Sequence, residues 1–116
     1  MSQWKTVYKH LQAKGFSVYS PGQHQGECTS PYVVIRSAGS TPKILFTSHQ
    51  DVYDILCYVP RDKYSTLEDF VMSVKQAMKG LYPTLIPTQY ETASYYDDQV
   101  KGHMISIEYR NSVKNL

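Results

Sequence analysis

The stretch from Asp51 to Val59 constrains the chain most. Read as a strand, it sends Tyr53, Ile55, Cys57 and Val59 to one face and Val52, Asp54, Leu56 and Tyr58 to the other. Neither set is cleanly polar, so both faces need cover, at least in part. Pro60 stops the strand, and Arg61 to Tyr64 turn the chain.

Two amphipathic helices are available to cover such a strand. In the first, Trp4, Val7, Tyr8 and Leu11 recur at i, i+3, i+4 and i+7, while Lys5, Lys9 and Gln12 fall elsewhere. Ser2 is placed to cap it, and Gly15 to end it in the left-handed conformation. In the second, Ser65 and Glu68 have the spacing of a capping box, ahead of a stripe of Leu67, Phe70, Val71, Val74 and Met78. Lys75 and Lys79 suit the last turn, Gly80 is the stop, and Pro83 and Pro87 keep 82–88 extended and irregular.

The remaining strands are shorter signals. Phe16 to Tyr19 is one; 32–36 is another, followed by a turn over 37–42 and a further strand from Lys43 to Thr47. Thr92 to Tyr96 and His103 to Arg110 read as a hairpin around a turn at 97–102, with His103, Ile105, Ile107 and Tyr109 on one face. The pattern predicts an α+β fold: a two-layer domain with a mostly antiparallel sheet of four to five strands packed with two helices. At 116 residues this is a single domain spanning 1–116, able to bury about two thirds of its unfolded surface without staples.

No apolar run approaches the ~18 residues of a membrane span, and the first residues lack the apolar core of a secretion signal. Two cysteines, Cys28 and Cys57, make no disulfide framework, which points to a reducing cytoplasm. The net charge of +2 is too small for a dedicated nucleic-acid footprint. It is unevenly spread: residues 1–43 hold five basic side chains against Glu27 alone, and residues 44–116 hold seven against nine acidic. Eleven tyrosines are many for a sheet this small to absorb, and tyrosine is enriched at interfaces.

Chemistry is harder to find. His24, Cys28, His49 and Cys57 have the composition of a structural zinc site but not its tight paired spacing. Cys28 beside His24 is the one nucleophile–base pair, with no oxyanion signature near it. Asp98 and Lys101 are three apart, which a strand would send to opposite faces, so they read as a solvated turn and not a metal-dependent nuclease motif. Gly22 to Gly26 is no phosphate loop. The residues therefore point to no enzyme and to no cofactor or metal.

Three segments carry a resemblance: VYDILCYVP, the helix YSTLEDFVMSVKQAMKGL, and YYDDQVKGHMISIEYRN. Together they resemble the small tail proteins of tailed bacteriophages and phage-tail-like bacteriocins, above all the tail terminator, or tail completion, family. The likeness covers the last 65 residues or so in pattern and the first 50 in layout only. It implies a structural protein of a virion or tailocin, assembled in the bacterial cytoplasm. Such proteins form a hexameric ring at the head-proximal end of the tail, ending tube growth and joining the tail to the neck or head. The implied partners are further copies of the chain, the tail tube and sheath proteins, and a neck or head-completion protein, with no membrane and no sequence-specific nucleic acid. Another head–tail neck adaptor is an alternative. So is a small nucleic-acid-binding module, in which tyrosines stack bases and Arg36, Lys43 and Lys101 take phosphates.

A ring contact is head-to-tail, one patch against a different one. The candidates are Lys5, Lys9 and Arg36 in the basic part; Arg61 and Asp62 at the turn; and Tyr95, Tyr96, Asp97, Asp98 and Lys101 at the hairpin. His24 joins them from the loop at 20–31. That loop is rich in Pro, Gly and Ser and has few apolar groups to bury, so it is expected to be mobile in the free subunit and to order in the assembly.

Overall fold

The computed structural model describes residues 3–42 and 48–114. Helix α1 (Trp4–Ala13) leads into β1 (Val18–Tyr19), β2 (Tyr32–Pro42) and β3 (Ser48–Pro60). A 3-10 turn (Arg61–Thr66) enters α2 (Leu67–Met78), and a second (Lys79–Leu81) leaves it. Strands β4 (Ile86–Glu91), β5 (Tyr95–Asp97) and β6 (Gly102–Lys114) complete the chain. The fold is α+β, with one mixed six-stranded sheet, one strand more than expected. Its order is β1-β2-β3-β6-β4, with β5 pairing β6; all pairs are antiparallel except β1 with β2.

β3 lies at the centre, and its alternation is as read from the sequence. Tyr53, Ile55, Cys57 and Val59 are fully buried. The register lays Val33, Cys57 and Ile105 in one row and Ile35, Ile55 and Ile107 in the next. Val7 and Leu11 of α1 and Leu67, Val71, Val74 and Met78 of α2 close over this face to form the main core. Polar atoms fix the placement of α1: the Tyr53 hydroxyl accepts the Gln3 N–H at 2.7 Å, and the Trp4 indole donates to the Ile35 carbonyl at 2.7 Å.

Several local expectations are corrected. The turn placed at 37–42 is a continuation of β2, which absorbs one extra residue as a bulge between Ser37 and Gly39. The strand placed at 43–47, and Ser2 as a cap, lie outside the described residues. The capping box at Ser65 does not form. The chain enters α2 from a 3-10 turn, so Thr66 is already helical; its hydroxyl donates back to the Lys63 carbonyl at 2.6 Å. Part of 82–88 is ordered as β4, which pairs Ile86 with Arg110 and Pro87 with Tyr109. At the end of α1 the expectation stands: Gly15 has φ +94°, and the N–H groups of Gly15 and Phe16 bond back to Gln12 and Leu11 as a Schellman motif.

Two glycines serve close approach. Gly80 sits in the 3-10 turn after α2, where a Cβ would stand 2.8 Å from Cε1 of His10. That ring is held by a bond from Nε2 to the Ala77 carbonyl at 2.7 Å, so α1 and α2 meet there. At Gly102 a Cβ would lie 2.9 Å from the Val59 carbonyl and 3.0 Å from the Cβ of Cys28; the positive φ of this turn belongs to Lys101. The Gly102→Ala variant should therefore lose about 1–3 kcal/mol of stability, the usual cost of overpacking. Urea unfolding checks this; a midpoint equal to wild type would contradict the packing described.

Candidate interaction surface

The opposite face of the sheet carries a second, smaller cluster built on three cross-strand rows. Tyr32, Tyr58 and Met104 form the first, Val34, Leu56 and Ser106 the second, and Arg36, Asp54 and Glu108 the third. Tyr32 and Tyr58 stack at 4.7 Å. The loop at 20–31 lies over them: His24 stacks on Tyr32 at 4.0 Å, and Tyr19 meets both rings edge-on. Cys28 is buried in the same cluster, and its N–H donates to the Val100 carbonyl at 2.6 Å. Loop and hairpin turn are thus latched together across the glycine at 102. The expectation that this loop has little to bury is corrected, because one small thiol and one imidazole suffice to dock it.

The hairpin end is aromatic and exposed. Tyr96 pairs with His103 in register, their rings 5.1 Å apart, and Tyr64 meets the same imidazole at 4.7 Å. His103 Nε2 contacts the Arg61 carbonyl at 3.2 Å. Tyr95, next along β5 and paired with Met104, is open to solvent on the opposite face. Asp97 accepts the Gln99 N–H at 3.0 Å, closing the turn as the sequence suggested, and Lys101 pairs with Asp98 at 3.5 Å. The structure therefore gathers Arg61, Tyr95, Tyr96, Asp97, Asp98 and Lys101 at one end of the sheet, with Asp62 exposed on the adjoining turn.

The other candidates lie apart. Lys5 and Lys9 are exposed on α1, which packs over β1 and β2 at the far edge. Arg36 is exposed on the second face and bonded to Asp54 at 2.6 Å. His24 is half-buried in the tyrosine stack, its Nδ1 buried without a partner among the described residues. Of the groups suggested for nucleic acid, Lys43 lies outside the described residues, and Tyr32 and Tyr58 are occupied by each other and by His24.

One feature escaped the sequence. A groove of about 630 Å³ runs between the C-terminal half of α2 and β4, lined by Met78, Leu85, Pro87, Ile107 and Tyr109, with Tyr82 and Tyr90 on its rim. Its signal was the apolar content of 81–90, masked by prolines that read as irregular chain. Lys75 and Glu91 bridge its upper end at 2.5 Å.

Burial sets the chemistry of the cysteines. It pushes the Cys28 thiol up to about 11, opposed only in part by the backbone of Ser30, and drives the Cys57 thiol higher still. Both are thiols and not thiolates at neutral pH. Burial likewise raises Tyr32 and Tyr58, and Tyr109 to about 12. No protein-family model matches the chain, and no curated protein matches it.

Both cysteines should resist alkylation at pH 8 in the native protein and react fully once it is unfolded; rapid native labelling of Cys28 would contradict its burial. The raised values also fix the sign of a pH effect. Groups with a folded pKa above the unfolded one contribute stability below the unfolded value and lose it as pH rises through the folded value. Melting temperature should therefore fall between pH 9.0, the ordinary thiol value, and about 11, and Cys28→Ala should flatten that fall. An equally steep fall in the variant would assign the effect to other groups.

Proposed function

We propose that the chain is a structural subunit of a phage tail or tailocin, assembling as a ring at the head-proximal end of the tail. In this reading it ends tube growth and joins the tube to the neck. The observation that carries the reading is the separation of two unlike patches. The exposed lysines of α1 lie at the β1 edge of the sheet, and Tyr95, Tyr96, Asp97 and Asp98 lie at the other edge. Head-to-tail closure needs two different patches on one subunit, placed apart. The element order also supports it: the α-β-β-β-α-β-β layout that the resemblance implies is matched when β4 is counted as an addition.

In this assembly the hairpin turn of one subunit meets α1 of the next. The aromatic rings of Tyr95 and Tyr96 supply contact area at low entropic cost, and the acids set register against Lys5 and Lys9. Asp54 partners Arg36 within the subunit, which leaves that arginine a lesser role in the contact.

Negative-stain imaging with purified tail tubes tests the reading. Wild-type protein should form rings on tube ends, and reversal of Asp97 and Asp98 to lysine should abolish them. A further reversal of Lys5 and Lys9 to glutamate should restore them. Tube ends left bare by the wild type would overturn the assignment, and rings indifferent to the charge changes would overturn the proposed contact.

A further inference from the structure

The flank of α2 that borders the groove carries its own complement. Glu68, Met72, Lys75 and Lys79 follow one another at i, i+4, i+7 and i+11, within about 60° of the helix circumference. The acid stands at the N-terminal end and the bases at the C-terminal end. Lys75 is bonded to Glu91, while Glu68 and Lys79 have no ionic partner among the described residues. Between them Met72 is 62% exposed, and the rim tyrosines Tyr82 and Tyr90 are 65% and 60% exposed. The groove floor beside this flank, at Leu85, Ile107 and Tyr109, is buried in the same core cluster as Leu67, Val71, Val74 and Met78 of α2.

We propose that this flank is a two-fold contact with a second copy of the chain, its α2 lying antiparallel to the first. Antiparallel pairing sets Glu68 against Lys79 of the second copy, twice by symmetry, and opposes the two helix dipoles. It brings each Met72 over the aliphatic stem of the opposite Lys75, where an unbranched thioether adapts to an uneven surface. The charges select this occupant. The exposed face of α1, with Lys5 and Lys9, would set cation against cation at Lys79, whereas α2 offers an acid at the required distance. The contact does not rest on the ring reading, because its residues are separate from those on α1 and the hairpin turn.

Sedimentation equilibrium of the full chain tests it. The wild type should dimerise, and Glu68→Lys or Lys79→Glu should each raise the dissociation constant roughly tenfold, as two reversed ion pairs would. The double variant, Glu68→Lys with Lys79→Glu, should return it close to wild type, and Met72→Ala should weaken the dimer without changing any charge. A wild type monomeric up to its solubility limit overturns the proposal. So does a dimer indifferent to both single reversals, or a double variant no better than the singles. Reversal of Asp97 and Asp98 should leave this dimer intact, so the failure of either contact is read separately.

Discussion

The central strand β3 needs cover on both faces, and the rest of the molecule is arranged around that need. On one face the two helices bury Tyr53, Ile55, Cys57 and Val59 completely. On the other, Tyr58 is covered without any helix, by Tyr32, on which the imidazole of His24 stacks in turn, and by the hairpin end of the sheet. The second cover is small, and it is therefore sensitive to backbone approach. Gly102 leaves room for the Cys28 side chain against the Val59 carbonyl, and the Cys28 N–H completes the junction by bonding Val100. One strand's two-sidedness thus ties a loop early in the chain to a turn near its end.

The tyrosines divide along the same lines. Tyr32, Tyr53, Tyr58 and Tyr109 are buried, and Tyr8 and Tyr19 are half-buried. Tyr64, Tyr82, Tyr90, Tyr95 and Tyr96 are exposed, and they fall on the β4–β5 side of the molecule, around the groove or around His103. Exposed aromatics concentrated on one side are what the proposed contacts would draw on. The two thiols lie inside, where burial raises both.

The sequence carried those parts of the fold that depend on periodicity. The alternation of 51–59, the stripes of both helices and the apolar face of Ile105, Ile107 and Tyr109 needed only a residue count to read. What escaped depends on neighbours distant in the chain. Ser65 and Glu68 have capping-box spacing, but the preceding residues already coil, so the spacing finds no extended cap position to occupy. Pro87 suggested irregular chain, yet it sits in an outermost strand, where a missing N–H costs little. The loop at 20–31 looked unanchored because Val100, which its Cys28 N–H bonds, and Tyr58, in the same buried cluster as Cys28, lie far along the sequence. The candidate site was legible at the hairpin, where six of the named residues gather locally, and illegible at the groove, which exists only once β4 is laid beside β6.

Native-state hydrogen exchange on the free subunit tests the two-sided cover most directly. The amide of Cys28, bonded to Val100, should exchange as slowly as a core amide such as that of Ile55, while 22–26 exchange fast around it. Cys28 exchanging as fast as Gly22 and Gly26 would contradict the account, because the second face of β3 would then be open in the isolated protein.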